Sequence, residues 1–474
     1  MIISLFEHRT REINEVEKNE DLVDENDLNI PEVRGKITVS VVGCERSGLI
    51  MACLLADIGF KVFCVDSDQS IVNQVMRGES PFPEPGLKSL LEKNVREGRL
   101  LATTDIKESV THSNIILLFV SPKIDEKKRP DYSNIEKMCR DVGLNLRCGA
   151  LIILESNVAP GVTETLVKET LETASGLKAG IGFGLAYCSA RDIPSEGLQN
   201  IINDPKVFSG IDKKSSDLTK AFWRTFTKGE VVEVSSIKTA EAVGLFENVY
   251  QDVNVAFSNE LAFFCEKAGI DFMEVRNAVN LRSHRHLSVP EIVDGYISDG
   301  PYLLIEEAEN LKMRLRMATL ARKVNNALLN QVFYLVRDAL RSCGRSVKRA
   351  RILVLGVSCR PNEKELKGSR VKELVEILLN KGMFVKVYDP LFSYKELAEL
   401  GYPAERTFTE AVKGTDCLLI AVGHDRFRRL NLRRIRLLMR KPSAIVDVSY
   451  VVDPSEVEEK GFIYRGLGRG VRGR

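Results

Sequence analysis

Short continuous runs of apolar residues, separated by segments of helical periodicity, recur in two parts of this 474-residue chain. Strands are predicted at residues 37–42, 62–65, 115–119, 151–154, 351–356, 384–389, 417–422 and 444–448, and the runs at 62–65, 115–119, 151–154 and 417–422 are apolar throughout. A strand that is apolar on both sides is buried on both faces, which is typical of a parallel sheet covered by helices. The pattern therefore predicts an α/β protein with two doubly wound, Rossmann-like parallel-sheet domains.

A helical block separates these two parts. Apolar residues recur at helical spacing, with no intervening proline, over residues 236–280 and 304–343. Such a block can form a dimer interface, and a plain pair of core helices is equally compatible with the pattern. We expect an acidic extension over residues 1–35 that is disordered or one frayed helix, an α/β domain over 36–210, a helical domain over 211–340 and a second α/β domain over 341–474.

Charge and composition exclude several classes of protein. Lys and Arg number 68 against 66 Asp and Glu, which leaves no net field to collect nucleic acid or an anionic membrane. In the basic stretch 426–440, arginines are interspersed with apolar residues, as in an amphipathic helix. The apolar runs are shorter than the roughly 20 residues of a membrane span, and residues 1–11 lack the features of a signal peptide. The ten cysteines are scattered singly, which is typical of reduced thiols in a cytoplasmic protein.

The turn after the first strand carries part of a dinucleotide-binding signature. Residues 41–48 read VVGCERSG, so Gly43 and Gly48 occupy the first and third glycine positions of the Gly-x-Gly-x-x-Gly pattern. Asp66 ends the second strand about twenty residues later, where an acidic residue binds the ribose 2′-hydroxyl of NAD. The sequence therefore predicts Gly43, Gly48 and Asp66 as residues that bind NAD.

Glu45 occupies the middle glycine position, where the backbone normally approaches the pyrophosphate. Two like charges about 4 Å apart in partly desolvated surroundings repel by on the order of a few kcal/mol. Arg46 offers a compensating charge, and the Glu45 side chain can turn toward solvent. Two interpretations stay open: an intact NAD site, and a Rossmann fold whose cofactor site is closed or weakened.

Several spaced motifs resemble one enzyme family. The motifs are ESNVAPGVTE at residues 155–164, LFENVYQDVN at 245–254, NELA at 259–262, GVSCRPN at 356–362 and YRGLGRG at 464–470. In this order they resemble the UDP-glucose/GDP-mannose dehydrogenase family, and within it the UDP-N-acetyl-D-mannosamine dehydrogenases. The resemblance implies an NAD domain, a central dimerisation domain and a nucleotide-sugar domain. It also implies two NAD-dependent oxidations of a UDP-sugar alcohol to a uronate through a cysteine thioester, with Glu155 among the cofactor-binding residues.

The family's nucleophile is missing from the matching stretch. The family pattern there is Gly-Gly-x-Cys-x-Pro-x-Asp-Pro, and residues 290–304 read PEIVDGYISDGPYLL, with no cysteine. A thiol is needed because it forms the thiohemiacetal that gives up the second hydride. Ser298 lacks an activating base in the sequence around it, and Cys188 aligns with a position that is not catalytic in the family.

Two further positions differ in the same direction. The family pairs a Lys with an Asn one helical turn later to stabilise an oxyanion; Asn248 matches the Asn, but Gly244 stands at the Lys position. The family's Cys-Pro-Glu-Arg loop reads CSAR here, so Ala190 replaces the Glu that the resemblance implies as acid/base. We therefore predict no intact catalytic residue, with Asn248 as a remnant and Gly244 and Ala190 as vacant positions.

The substrate-binding positions differ less. The resemblance implies sugar-nucleotide contacts from Asn248, Arg285, Arg360 and Lys367. His284 and His286 beside Arg285 have no carboxylate or cysteine at metal-ligand spacing, so no metal is expected.

Two hypotheses follow from these positions. The first is a family member that binds a UDP-sugar but does not complete the oxidation, and that pairs with itself or with an active relative through the central helices. The second is an active NAD-dependent nucleotide-sugar dehydrogenase in polysaccharide precursor synthesis whose catalytic groups are rearranged.

Overall fold

The computed structural model describes residues 25–470, except residues 83, 126, 191–197, 283, 293–298 and 367. Two compact units make up the chain, Met1–Leu245 and Phe246–Arg474. Each unit is described by itself below. Ser298 and Lys367, which the sequence analysis singled out, lie outside the described residues.

The first unit is built on one eight-stranded sheet in the order β10-β9-β8-β7-β4-β1-β2-β3. Its strands are β1 (Thr38–Val42), β2 (Lys61–Val65), β3 (Leu100–Thr103), β4 (Ile115–Leu118), β7 (Leu151–Leu154), β8 (Gly184–Cys188), β9 (Lys206–Gly210) and β10 (Val231–Glu233). All neighbours are parallel except β8 and β9, which are antiparallel. The short strands β5 (Lys123–Ile124) and β6 (Pro130–Asp131) form a separate antiparallel ribbon.

Helices cover both faces of this sheet. They are α1 (Glu25–Asn29), α2 (Pro31–Arg34), α3 (Arg46–Asp57), α4 (Gln69–Met76), α5 (Leu87–Arg96), α6 (Ile106–Thr111), α7 (Ser133–Gly143), a π-helical turn at Thr163–Val167, α8 (Lys168–Ser175), α9 (Leu198–Asn203) and α10 (Lys213–Arg224). Every residue of β4 and β7 is buried, because each strand packs against a separate apolar cluster on either side of the sheet. The predicted doubly wound α/β architecture is confirmed for this unit.

Two expectations about the boundaries of this unit are wrong. Ordered structure begins before Lys36, because α1 and α2 precede it and Leu28 of α1 is fully buried in the same core as β1. The sheet also continues past residue 210 to β10, a short and largely exposed edge strand that carries no continuous apolar run. Residues 1–24 of the acidic extension lie outside the described residues.

Long helices join the first unit's sheet to a second sheet along the chain. They are α11 (Ile237–Ala268), α12 (Phe272–Val279), α13 (Gly300–Asn310) and α14 (Arg316–Ser342). In the second unit a buried ion pair links α11 and α14, since Arg322 Nε donates to Asp252 Oδ2 at 2.7 Å. The predicted helical block is thus confirmed.

The second unit ends in a five-stranded, fully parallel sheet in the order β12-β11-β13-β14-β15. Its elements are β11 (Arg351–Leu355), α15 (Val371–Asn380), β12 (Phe384–Tyr388), α16 (Tyr394–Glu399), α17 (Phe408–Val412), β13 (Cys417–Ile420), a 3₁₀ helix at Asp425–Arg429, α18 (Leu432–Leu438), β14 (Ala444–Asp447), α19 (Pro454–Glu459) and β15 (Ile463–Gly466). This sheet confirms the second predicted α/β domain. Within the described residues, no helix combines the length and apolarity that crossing a bilayer requires.

Candidate functional site

The dinucleotide-type turn between β1 and α3 is tightly packed. Gly43 has a φ of +105°, and a Cβ placed on it would lie 2.1 Å from the carbonyl oxygen of Phe119. A Cβ on Gly48 would lie 1.9 Å from the carbonyl oxygen of Gly43. Both positions therefore require glycine, which keeps the start of α3 against the end of the sheet as in a nucleotide-binding turn.

Glu45 is the N-cap residue of α3, and its exposed side chain does not cap the helix. It therefore brings a carboxylate to the helix N-terminus, where a pyrophosphate would bind. The neighbouring Arg46 forms an ion pair with Glu84, whose side chain is almost fully buried.

Asp66 lies beside the turn, as the spacing predicts. Its Oδ2 accepts a hydrogen bond from the Cys44 backbone N–H at 3.0 Å, and its Oδ1 accepts one from the Asp68 N–H at 2.9 Å. A carboxylate oxygen has capacity for a second hydrogen bond. Gly43, Glu45, Gly48 and Asp66 are thus together at one edge of the sheet, where the backbone and Asp66 fit a dinucleotide.

A disulfide joins Cys44 of the turn to Cys64 of β2. The expectation that all the cysteines are reduced is therefore wrong for this pair. Its two residues belong to neighbouring parallel strands and the turn that follows, so they meet in space without a Cys-x-x-Cys spacing in the sequence. The other eight cysteines are not in disulfides, and only Cys148 among them is exposed.

The positions that depart from the family pattern meet at one place in the first unit. A Cβ placed on Gly244 would lie 2.8 Å from Ser189 Oγ, 3.2 Å from Asn157 Oδ1 and 3.6 Å from the Ala190 carbonyl oxygen. Ser189 Oγ and Asn157 Oδ1 are both buried, and neither has a hydrogen-bond partner among the described residues. The space beside Gly244 is therefore lined by neutral polar atoms, with neither a lysine nor a carboxylate from the matching positions.

Glu155 forms a buried ion pair rather than standing open to a ligand. Lys206 Nζ lies 2.7 Å from Glu155 Oε1, and both side chains are at most 5 % exposed. Lys206 also lies over the Trp223 ring, 4.8 Å from its centroid. Burial raises the pKa of Glu155 against the opposing effect of Lys206. Local sequence patterns did not indicate this partner, because Lys206 lies two strands after Glu155 along the chain.

Glu241 is a buried carboxyl that the sequence analysis did not single out. It is fully buried, it accepts the Gly161 backbone N–H, and its Oε1 accepts the Thr163 N–H at 2.8 Å. Burial raises the pKa of Glu241 to about 7, although these N–H donors oppose the shift. The first turn of α11 is thereby tied to residues 161–163. The only signal in the sequence was an acidic residue directly after Ala240, which belongs to the apolar stripe of this helix.

In the second unit, Asn248 of α11 packs against the start of α13. A Cβ placed on Gly300 would lie 2.6 Å from Asn248 Nδ2 and 2.8 Å from Asn248 Cβ. Asn248 therefore packs against the bare backbone of Gly300.

The remaining predicted positions of the second unit differ in their surroundings. Arg285 is exposed, and no described contact joins it to Asn248 or Arg360. The side chain of Arg360 is 15 % exposed and lies 3.5 Å from Glu363. Among the described residues, no group of His, Cys, Asp and Glu side chains could hold a metal ion.

A buried Asp–His pair supports the loop that contains Arg360. Asp389 Oδ2 accepts the Val357 N–H at 2.7 Å, and it lies 3.1 Å from His424 Nε2. His424 Nδ1 accepts the Asn362 N–H at 2.9 Å, so the ring proton is on Nε2 and is donated to Asp389. Burial alone would raise the pKa of Asp389, but the hydrogen bonds from His424 and the backbone lower it. These bonds fix both ends of the loop that follows β11.

Comparison with known proteins gives matches along most of the chain. Models of the UDP-glucose/GDP-mannose dehydrogenase family match residues 37–227 as the NAD binding domain, 238–327 as the central domain and 353–454 as the UDP binding domain. The chain is 28% identical to a UDP-N-acetyl-D-mannosamine dehydrogenase of Pyrococcus horikoshii, over 91% of this chain and 99% of the relative. It is 28% identical to a UDP-N-acetyl-D-glucosamine 6-dehydrogenase of Pseudomonas aeruginosa, over 88% of this chain and 97% of the relative.

Solved structures show the same likeness. A structure of UDP-D-ManNAc dehydrogenase from Pyrococcus horikoshii superposes with a TM-score of 0.84 at 28% identity, covering 91% of this chain and 99% of the other. A structure of NDP-N-acetyl-D-galactosaminuronic acid dehydrogenase from Methanosarcina mazei superposes with a TM-score of 0.76 at 28% identity, covering 95% and 98%.

Proposed function

The chain belongs to the UDP-glucose/GDP-mannose dehydrogenase family, and from this premise we propose that it binds a UDP-sugar without completing the two-step NAD-dependent oxidation to a uronate. In this proposal it acts as a binding or regulatory homologue of the active enzymes. The observation that carries the proposal is the convergence of Gly244, Ser189, Asn157 and Ala190 on one place in the first unit.

Two kinds of catalytic group are absent from this place. Stabilising the negative charge that develops on a reacting oxygen requires a positioned donor or cation, and Gly244 supplies none. Ala190 has no carboxyl group to transfer a proton. Lys206 is a buried cation of the same unit, but its charge is already paired with Glu155. Ser189 and Asn157 can donate a hydrogen bond to an oxyanion, but they supply neither a positive charge nor a carboxyl group.

The second unit supports the same proposal. The stretch 290–304 contains no cysteine, so the chain lacks a thiol there to form the covalent intermediate of the second oxidation. The oxyanion Asn is retained in this chain while the groups that act with it in the family pattern are absent.

We propose that NAD binding is weak. NAD supplies a hydride acceptor when it is bound, and Gly43, Gly48 and Asp66 form a turn that suits its adenosine and pyrophosphate. Glu45 places a carboxylate at the N-terminus of α3, and Arg46 is engaged by Glu84. Repulsion of a few kcal/mol corresponds to a loss of roughly two decades of affinity.

The UDP-sugar ligand is assigned to the second unit, where residues 353–454 match the UDP binding domain. We propose Arg360 as a contact to the anionic part of the ligand, on the loop that Asp389 and His424 support. Arg285, Asn248 and Lys367 are proposed as further contacts from their positions in the sequence.

We also propose that the central helices form a homodimer or pair with an active relative. Phe246, Tyr250, Phe257 and Phe264 of α11 are 51–70% exposed and recur at intervals of four and seven residues. A row of exposed aromatic side chains on one helix face is unusual for a surface without a partner. A second copy of the same helix would cover it.

The competing function is an active nucleotide-sugar dehydrogenase with rearranged groups, which stops at the aldehyde or uses another nucleophile. It is favoured by the match of all three family domains and by the retained Asn248. The two are separated by mixing the purified protein with NAD and a panel of UDP-sugars and following the absorbance of reduced nicotinamide. We expect no sustained turnover, whereas steady reduction of NAD with any sugar would establish the competing function.

A further inference from the structure

A cavity of about 230 Å³ opens on the five-stranded sheet of the second unit. It lies on the face that carries α17, α18 and α19, and it is enclosed by α17, the 3₁₀ helix at Asp425–Arg429, α18 and the end of β12. Its lining does not include Arg360, Arg285 or Asn248. The cavity is therefore distinct from the residues to which we assign the UDP-sugar.

The floor of this cavity is apolar and largely aromatic. The rings of Tyr388 and Phe408 meet edge to face with their centroids 5.3 Å apart. Phe427 is 1 % exposed and lies in the same apolar cluster, and Leu430 and Ile435 continue the floor. Such a surface suits a planar ring, which packs against both ring edges and ring faces.

The rim of the cavity is cationic. Arg426, Arg429 and Arg434 line it with exposed side chains, and none of them forms an ion pair with a residue that the structure describes. The other polar lining residues, Thr409 and Asn431, carry no charge. Three guanidinium groups around one opening create a positive potential that a phosphate neutralises through paired N–H donors.

The acidic residue next to this rim is already engaged. Asp425 Oδ2 accepts a hydrogen bond from Asn362 Nδ2 at 3.0 Å, and Asp425 Oδ1 lies 3.6 Å from Arg428. Asp425 is the only Asp or Glu between residues 424 and 441. The basic stretch 426–440 thus presents three of its arginines to one small cavity, which does not suit a long polyanion.

We propose that this cavity binds a small aromatic phosphate, with the ring on the floor of Tyr388, Phe408 and Phe427 and the phosphate among the three arginines of the rim. A neutral aromatic molecule would leave the guanidinium groups without an anion, and inorganic phosphate would leave the aromatic floor in water. A nucleoside monophosphate carries both groups. This site is independent of the proposed function, since it gives the domain a second ligand whether or not the chain oxidises a sugar.

The test is isothermal titration calorimetry on the full chain with phenyl phosphate, AMP and inorganic phosphate. We expect saturable binding of the two aromatic phosphates, with inorganic phosphate weaker by about tenfold or more. Arg426→Gln and Arg434→Gln each weaken phenyl phosphate by about tenfold, because each removes a charge-assisted pair. Phe408→Leu keeps an apolar floor but loses the ring, and it weakens the aromatic ligands without changing inorganic phosphate.

Two controls separate this site from its surroundings. Arg433→Gln removes an arginine of the same helix that does not line the cavity, and Arg360→Gln removes the residue assigned to the UDP-sugar; neither changes the affinity for phenyl phosphate. The proposal is overturned if phenyl phosphate shows no binding up to about 10 mM, if inorganic phosphate binds as tightly, or if Arg426→Gln and Arg434→Gln leave its affinity unchanged.

Discussion

Gly244 of α11 lies against Ser189 at the end of β8, so closely that a Cβ on Gly244 would lie 2.8 Å from the serine Oγ. Both residues depart from the family pattern, and the lack of a side chain at Gly244 leaves room for the Ser189 hydroxyl. A serine hydroxyl occupies the space at which a side chain from position 244 would begin. Restoring the lysine by itself therefore meets Ser189, and the change at one position has been accommodated by the other.

The contact between Gly244 and Ser189 predicts a coupled effect on stability. Gly→Ala within a helix ordinarily stabilises by up to about 1 kcal/mol. Here we expect Gly244→Ala not to raise the free energy of unfolding, because the new methyl group meets Ser189 Oγ and Asn157 Oδ1 and these side chains must turn aside. In a Ser189→Gly background the same substitution should be neutral or stabilising. Urea unfolding of both singles and the double variant measures this coupling, and additive effects would show that the two side chains do not compete for space.

The charge of Glu45 predicts that removing it raises the affinity for NAD. Glu45→Gly removes the carboxylate from the N-terminus of α3, and we expect NAD to bind at least about tenfold more tightly. Glu45→Gln separates the charge from the bulk of the side chain and should recover part of this gain. Thermal shift with NAD gives the readout, with Glu97→Gln, an exposed acid after α5, as the matched control. If NAD shifts the Glu45→Gly and wild-type proteins equally, charge repulsion does not govern this site.

Glu241 predicts a pH-dependent stability. Its folded pKa of about 7 lies above the ordinary 4.5, so the folded state keeps this proton to a higher pH than the unfolded chain does. The stabilisation is therefore fully present below pH 4.5 and is lost as the pH rises through 7. The difference corresponds to about 3 kcal/mol.

Comparison with Glu241→Gln isolates this effect, since glutamine does not titrate. Between pH 4.5 and 7.5 the free energy of unfolding of the wild type should fall relative to that of Glu241→Gln. Glu247→Gln, an exposed position one to two turns later on α11, should follow the wild type. A constant difference between wild type and Glu241→Gln across this range would mean that burial does not raise the pKa of this carboxyl.

The aromatic row on α11 predicts an oligomer that a single charge disrupts. Phe257 is 51% exposed at the centre of the row, and Phe257→Glu places a carboxylate where the second copy would pack. We expect the wild type to be a dimer by light scattering and Phe257→Glu to be a monomer. Leu144→Glu changes an apolar residue that is 66% exposed at the end of another helix, and this variant should remain dimeric. A monomeric wild type at tens of micromolar would exclude the homodimer.

Much of the fold was predictable because its central strands are buried on both faces. The strands β4, β7 and β13 are apolar without interruption, and β1 and β11 are mostly apolar, so their positions follow from the sequence. β10 was missed because an edge strand is half exposed and has no such run. The helices α1 and α2 were missed because their acidic surface conceals the single buried Leu28.

The site was predictable only as separate positions. The sequence identified Gly244 and Ala190 as vacant, but only the fold shows that they meet with Ser189 and Asn157. The disulfide of Cys44 with Cys64 and the ion pair of Glu155 with Lys206 were not predicted for the same reason. Each joins residues from different strands that become close only in the folded sheet. The order of strands along the chain favours certain neighbours, but local patterns do not identify the individual side chains that meet.

The most direct test of the account is the fate of the sugar C6 alcohol. The purified protein is incubated with NAD and UDP-N-acetyl-mannosamine, UDP-N-acetyl-glucosamine and UDP-glucose, and the nucleotide sugars are analysed by mass spectrometry, with the Pyrococcus horikoshii relative treated in parallel. The account predicts unchanged UDP-sugars for this chain. Formation of a uronate at many turnovers per protein molecule would contradict it, because it would require groups that Gly244, Ala190 and the stretch 290–304 do not provide.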